Sequence, residues 1–312
     1  MSSFIIEGGH KLSGEVIPQG AKNEALQILS SVLLTPGEVE IDNLPDIVDV
    51  NKLIDLLSSM GVKTRKLSEG KYWFKADDIN LDFLKSEEFK KKGSSLRGSV
   101  MILGPLLTRF GIGALPRPGG DKIGRRRMDT TFLGFKELGA EFSYDAATGF
   151  FTANVPGGKL KGKRMLLDEA SVTGTANVVM AAVMAEGTTT IYNAACEPYL
   201  QQLCKIINKM GGKITGVGSN LLTIEGVTEL GGATHRCLPD MIEVGSFIGM
   251  AAMTKSELTI KDVKYDELGV IPRIFKRMGV KLERRGDDIF IPAQDSYEID
   301  KFIDGSILTV SD

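Results

Sequence analysis

At 312 residues the chain is long enough to bury a large core and to hold two domains. Its 38 Lys and Arg stand against 40 Asp and Glu, and the net charge of −2 gives no global reason to bind nucleic acid or an anionic membrane. No apolar run reaches the length of a membrane span, and the first residues carry no basic segment before a long apolar one, so the expected location is the cytoplasm.

The pattern then predicts one order of elements four times along the chain. A nearly uniformly apolar helix over 21–34 leads to a short strand at 39–41. An amphipathic helix follows with Leu53, Leu56, Leu57 and Met60 on one face, closed by Gly61. Strands at 62–67 and 72–76 flank the turn Ser68-Glu69-Gly70, which predicts a hairpin. The second copy has an apolar helix over 96–110, a weaker stripe of Thr131, Gly134, Phe135 and Leu138 before Gly139, and strands at 140–144 and 150–155. The third has an apolar helix over 176–185, a strand at 189–191 and the stripe Leu203, Ile206, Ile207, Met210 before Gly211. Its strands are at 212–217 and 221–227. The fourth has an apolar helix over 244–253, a strand at 258–260 and the stripe Ile271, Ile274, Phe275, Met278 before Gly279. Its strands are at 280–285 and 288–293.

Each closing glycine stands where a helix end must turn left-handed. They are 68 to 78 residues apart, the length of a whole supersecondary unit rather than a solenoid repeat. The unit reads β-α-β-α-β-β and predicts an α/β (α+β) protein with inner helices and outer sheets. The Met-rich run at 178–184 therefore reads as core packing. Cys196, Cys204 and Cys237 are at no metal-ligand spacing and read as packing thiols. His10 and His235 stand apart, with no partner in sequence that suggests a triad or a zinc site. No metal or cofactor is expected.

Three cationic places stand out. Gly20-Ala21-Lys22-Asn23 opens a core helix, where free N–H groups and the helix dipole favour an anion. An ordinary first-turn lysine is the equal alternative. Arg97 sits in the first turn of the next apolar helix, as an anion clamp or as a snorkelling side chain. The third is Pro116-Arg117-Pro118-Gly119-Gly120-Asp121-Lys122-Ile123-Gly124-Arg125-Arg126-Arg127-Met128-Asp129, a Gly-rich cationic loop with one acid among the cations. It suits an anionic substrate, lacks the aromatic interleaving of a nucleic-acid patch and is not a Walker A loop.

These residues resemble the UDP-N-acetylglucosamine 1-carboxyvinyltransferase family. The resemblance rests on Gly20-Ala21-Lys22-Asn23, on Leu96-Arg97-Gly98-Ser99 with Leu103-Gly104-Pro105-Leu106, and on the loop Pro118-Gly119-Gly120-x-x-Ile123-Gly124-x-Arg126. It continues through Ser171-Val172-Thr173-Gly174-Thr175, Asn193-Ala194-Ala195-Cys196-Glu197-Pro198 and Leu238-Pro239-Asp240-Met241-Ile242-Glu243. It implies the enolpyruvyl-transferase fold, with repeated units in pseudo-threefold domains. It implies transfer of the enolpyruvyl group of phosphoenolpyruvate to the 3-hydroxyl of UDP-N-acetylglucosamine, with release of phosphate, as the committed step of peptidoglycan precursor synthesis. Carried over, Lys22 and Arg126 would hold phosphoenolpyruvate, Asn23 would orient substrate oxygens and Arg97 would help hold the anions. Arg126, Arg127, Met128, Asp129, Thr130 and the turn Ala170, Ser171, Val172 would line the UDP-sugar site, and Asp121 would donate a proton to the methylene carbon.

Two departures qualify the resemblance. Where the family usually has cysteine this chain has Asp121, which implies resistance to alkylation by fosfomycin. Free Asp titrates at about 3.9, and Lys122, Arg125 and Arg126 favour its ionised form, so it would take up a proton only on closure over substrate. The chain also ends before the position of the family's carboxylate that is thought to deprotonate the sugar hydroxyl. The expected division is a complete three-unit domain over 21–229 and an incomplete second domain of 1–20 plus 230–312, with exposed apolar faces and possible self-association. A fragment that binds the UDP-sugar without catalysis, and a 3-phosphoshikimate 1-carboxyvinyltransferase-like enzyme, are the alternatives.

Overall fold

The computed structural model of the chain describes residues 3–119 and 128–306. Strand β1 (Glu15–Val16) precedes α1 (Lys22–Ser31), which tightens into a 3-10 turn at Val32–Leu34. Then come β2 (Glu38–Asp42), α2 (Val48–Ser59) and the hairpin of β3 (Lys63–Ser68) and β4 (Lys71–Lys75). The second repeat runs α3 (Glu87–Ser94), α4 (Leu103–Phe110), β5 (Ile112–Pro116), α5 (Asp129–Glu137), β6 (Glu141–Asp145) and β7 (Phe150–Asn154). The third runs β8 (Arg164–Leu166), α6 (Val172–Ala182), β9 (Thr188–Tyr192), α7 (Pro198–Lys209), β10 (Lys213–Thr215) and β11 (Leu221–Glu225). After β12 (Ala233–Arg236), the fourth runs α8 (Met241–Met253), β13 (Leu258–Ile260), α9 (Ile271–Arg277), β14 (Glu283–Arg285) and β15 (Asp288–Ile291).

The four closing glycines end α2, α5, α7 and α9 in one way. Each has a positive φ, at Gly61 (100°), Gly139 (95°), Gly211 (105°) and Gly279 (84°). In every case the residue after the glycine donates its N–H five residues back: Val62 to Leu57, Ala140 to Phe135, Gly212 to Ile207, Val280 to Phe275. The glycine N–H itself reaches Ser58, Lys136, Asn208 or Lys276, which completes the Schellman pair of bonds. The helix expected over 96–110 is broken instead. Residues Arg97–Ile102 wind as a 3-10 helix and α4 starts after them. Gly98 is a poor helix former, and the ring of Pro105 would clash with the carbonyl four residues back, so the α-helix restarts around it.

The chain divides into two compact units, Lys22–Cys237 and Met1–Ala21 with Leu238–Asp312. In the first, three sheets lie outside inner helices. β12 pairs parallel with β2, which continues to β4 and β3. β8 pairs parallel with β9, which continues to β11 and β10. β5, β7 and β6 form the third sheet. The pairing of 233–236 with 39–42 carries this unit past residue 229, because the strand that follows the third repeat belongs to the sheet of the first. Strands β2 and β9 alternate buried and open positions, with Val39, Ile41, Thr189 and Ile191 turned inward.

The inner helices are buried nearly all round, as in Ala25, Leu26, Ile28 and Leu29 of α1 and Val178, Val179, Met180 and Ala181 of α6. Each fully buried Leu, Ile, Val or Met side chain contributes about 1.5–3 kcal/mol. Their few polar groups are satisfied locally: Ser30 Oγ donates to Leu26 O and Ser31 Oγ to Ile28 O. Helices α4 and α6 approach closely at Gly104, where a Cβ would run into the Asn177 carbonyl. In the second unit β1, β13, β15 and β14 form one sheet over α8 and α9, around Val244, Ile248, Ile260 and Ile289. Ile242, Met250 and Met253 of α8 and Val270 before α9 are exposed. No helix among the described residues is long and apolar enough to cross a membrane.

Candidate active site

A cavity of about 510 Å³ opens in the unit Lys22–Cys237, where the starts of several helices converge. The first turn of α1 contributes Lys22 and Asn23, α2 contributes Val48, Asp49 and Lys52, α6 contributes Val172 and Thr173, and α7 contributes Tyr199. The turn before α4 adds Ser95, Arg97 and Gly98. A helix start exposes up to four N–H groups without intrahelical partners. At α2 and α7 the cap residues Ile47 and Glu197 supply no side-chain hydrogen bond, and α7 begins with Pro198. Such ends together with Lys22, Lys52 and Arg97 make a cavity suited to an anion.

The charges here are held in place. Lys22 Nζ lies 3.4 Å from Asp49 Oδ2, with both side chains about half exposed, so this contact orients the lysine more than it stabilises the fold. Lys52 Nζ donates to the Ser95 carbonyl at 3.1 Å, which ties α2 to the segment leading into Arg97. Gly119, the last described residue before the cationic loop, passes so close to the Ser94 carbonyl that a Cβ would collide with it.

Of the site residues expected from sequence, Lys22, Asn23, Arg97 and Val172 are brought together on this cavity. Thr130, Ala170 and Ser171 are not among the lining residues, though Thr130 and Ser171 meet at Gly174 in the first turn of α6, whose Val172 and Thr173 do line it. Thr130 Oγ1 donates to Asp168 Oδ1 at 2.6 Å, and Ser171 caps α6 by accepting the Gly174 N–H at 3.2 Å. Met128 and Asp129 open α5 just before Thr130 and are not among the lining residues. Asp121, Arg126 and Arg127 lie outside the described residues, as do Lys122 and Arg125. Gln27, Asp49, Lys52 and Tyr199 line the cavity without having been singled out from sequence. Gln27 falls inside the helix predicted over 21–34, whereas Asp49, Lys52 and Tyr199 precede the predicted stripes that begin at Leu53 and Leu203, because α2 and α7 start a turn earlier, at Val48 and Pro198.

Two expectations need correction. His235 is not isolated: it is buried, and its Nε2 lies 2.7 Å from Glu24 Oε1 on α1. Cys237 places its sulfur in the same cluster, with the three donor atoms within 4.8 Å of one another. The direct Glu24–His235 contact is a hydrogen bond, and burial with the nearby Glu24 and Asp42 carboxylates pushes the Cys237 thiol well up, so it stays protonated. The cluster is a buried polar knot that ties α1 to the strand and turn at 233–237. Nor are all three cysteines packing thiols. Cys204 is buried, its thiol pushed up to about 12 by desolvation, whereas Cys196 is exposed.

Comparison with known proteins places this geometry. The family model described as EPSP synthase (3-phosphoshikimate 1-carboxyvinyltransferase) matches residues 6–304. A UDP-N-acetylglucosamine 1-carboxyvinyltransferase of Bacteroides thetaiotaomicron is 63% identical over 312 residues, which is 100% of this chain and 71% of that protein. The proteins of the same name from Porphyromonas gingivalis and Treponema denticola are 59% and 39% identical over the same share. Among solved structures, the enolpyruvyl transferase NikO from Streptomyces tendae superposes with a TM-score of 0.76 at 18% identity, covering 93% of this chain and 68% of that one. EPSP synthase from Acinetobacter baumannii gives 0.68 at 17%, covering 93% and 66%. The structural likenesses establish the enolpyruvyl-transferase fold, and the whole-chain identities establish that this chain belongs to the UDP-N-acetylglucosamine 1-carboxyvinyltransferase family.

Proposed function

We propose that the chain transfers the enolpyruvyl group of phosphoenolpyruvate to the 3-hydroxyl of UDP-N-acetylglucosamine. The observation that carries this reading is the cavity where Lys22, Asn23 and Arg97 meet at helix starts, in a chain of this family. The sugar oxygen bonds to C2 of phosphoenolpyruvate, the C2–O bond to phosphorus-bearing oxygen breaks and inorganic phosphate leaves. The proton lost by the hydroxyl balances the proton taken by the phosphate.

Lys22 and Arg97 supply donors to phosphate and carboxylate, with Arg126 as a further cation from the loop. Asn23, one residue after Lys22, offers an amide to orient substrate oxygens. Arg127, Met128, Asp129 and Thr130, with Ala170, Ser171 and Val172, form the UDP-sugar side. The Thr130–Asp168 bond and the Ser171 cap support that assignment by fixing the starts of α5 and α6. Asp121 gives a proton to the methylene carbon and later takes it back. With a carboxylate in place of a thiolate, fosfomycin has no nucleophile to alkylate at this position, and the product belongs to cell-wall precursor synthesis.

The test is phosphate release by the purified chain with both substrates. Release should require both, and Asp121→Ala should lower its rate by about 10²–10⁴-fold, the usual contribution of a positioned general acid. Release that needs only one substrate, or that is untouched by Asp121→Ala and Lys22→Ala, would refute the reading.

A further inference from the structure

Gln27 is the polar exception on α1. It lies one turn below Asn23 on the face that lines the cavity, and it is only 3% exposed. The other buried polar side chains of this helix have partners: Glu24 pairs with His235, and Ser30 and Ser31 donate to carbonyls of their own helix. Gln27 Oε1 is buried with no hydrogen-bond partner among the described residues. A buried acceptor left unpaired costs about 1–3 kcal/mol, and a core helix position flanked by Leu26 and Ile28 would be better filled by an apolar side chain.

The surrounding chemistry says which ligand group this acceptor suits. Lys22, Lys52 and Arg97 offer only donors to the cavity, and the Asp49 carboxylate faces Lys22. Phosphoenolpyruvate in its ionised form offers only acceptors, so the cations can take it and Gln27 Oε1 cannot. A sugar nucleotide carries hydroxyl and amide N–H donors as well as phosphates. Asn23, Asp49, Ser95, Thr173 and Tyr199 also bring acceptor oxygens to the lining, but among the described lining residues only Gln27 holds a buried acceptor with no partner, so a ligand donor that reaches it displaces no existing bond.

We propose that Gln27 is a specificity-determining residue whose Oε1 accepts a hydrogen bond from a neutral O–H or N–H of the sugar-nucleotide substrate. The assignment rests on the functional reading above and adds to it a discrimination between the two substrates. A site built to pair a substrate donor rejects analogues that lack it, because the buried acceptor is then stranded.

The experiment is titration calorimetry of the full chain with UDP-N-acetylglucosamine, together with the KM for phosphoenolpyruvate in phosphate release at saturating sugar nucleotide, and thermal melting. The variants are Gln27→Met, which keeps the volume and removes the acceptor, and Gln27→Glu, which keeps the acceptor. Gln27→Met should weaken sugar-nucleotide binding by about 5- to 10-fold, as expected for one hydrogen bond. The KM for phosphoenolpyruvate at saturating sugar nucleotide should stay within about twofold, and the melting point should hold or rise. Gln27→Glu should retain more sugar-nucleotide affinity than Gln27→Met. Unchanged sugar-nucleotide affinity in Gln27→Met overturns the proposal. So does a loss confined to phosphoenolpyruvate, which would mean that the amide faces the cavity with its Nε2, and so does a lowered melting point, which would mean a structural bond. If the unaltered chain binds no sugar nucleotide, the functional reading fails first, and the proposal falls with it.

Discussion

Glu24 and His235 are 211 positions apart and meet at 2.7 Å with almost no exposed side-chain surface. A carboxylate in a core helix is expensive unless it is paired. Here the pair also sits in the turn that presents Lys22 and Asn23 to the cavity, with Glu24 on the opposite side of that turn. Removing one partner breaks this buried bond, so Glu24→Ala and His235→Ala should each cost about 1–3 kcal/mol, read as a shift in urea midpoint. The double variant should cost less than the sum of the two, because both single variants lose the same bond. Additive losses would mean that the two side chains contribute separately, and the pair would lose its meaning. None of this was legible in the sequence. A single histidine in Ala-Thr-His-Arg and a single glutamate in a helix carry no local mark of each other, since the contact depends on β12 returning to β2. Lys22 and Arg97, by contrast, announced themselves, because cations at the start of apolar helices conflict with their surroundings unless they face a cleft. Gln27 escaped notice because a single amide in a helix raises no such conflict until its burial is known.

At the scale of elements, the helix ends were the most readable part of the chain. A stripe of apolar residues followed by glycine predicts a left-handed closing residue, and all four glycines take positive φ with the same pair of bonds. A Cβ in that conformation costs about 1–2 kcal/mol through its own backbone. The four sites differ in what surrounds them. At Gly211 an added Cβ meets nothing, whereas at Gly61 it would run into the Asp78 carbonyl. Gly211→Ala should therefore lose about 1–2 kcal/mol, and Gly61→Ala should lose more, because backbone has to move as well. Equal losses in denaturant melts would show that the crowding at Gly61 relaxes freely. The break between Arg97 and Leu103 was hidden for the opposite reason: apolar periodicity runs straight through it, and only Gly98 and Pro105 dissent. That break sets where Arg97 sits, at the head of its own short turn on the cavity rather than inside a long helix.

At the scale of the molecule, the described residues form two hydrophobic cores. One is built wholly from residues between Ala25 and Cys237, the other from residues between Val244 and Ile291. The repeat pattern foretold units of one kind, but not which sheet would receive the strand that leaves each unit. β8 follows the second repeat and joins the sheet of the third; β12 follows the third and joins that of the first. The second exchange ties the third repeat to the first, which is why the compact unit ends at Cys237 and not at the last hairpin. Strand β12 escaped the sequence because Ala-Thr-His-Arg has no apolar alternation. Its place is fixed by backbone pairing with β2, by the Arg236–Asp42 ion pair at 2.5 Å and by Asn43 Nδ2 donating to the Cys237 carbonyl. Every residue lining the cavity belongs to this unit as well. Residues 22–237 expressed alone should therefore fold in one cooperative transition and keep sugar-nucleotide binding. A version stopped at residue 229 should melt at a lower temperature, because it loses β12 and leaves Glu24 without His235. Calorimetric melts of the two pieces decide the matter. If the shorter piece is as stable as the longer, the closing strand is an accessory, and the core of this unit is complete without it.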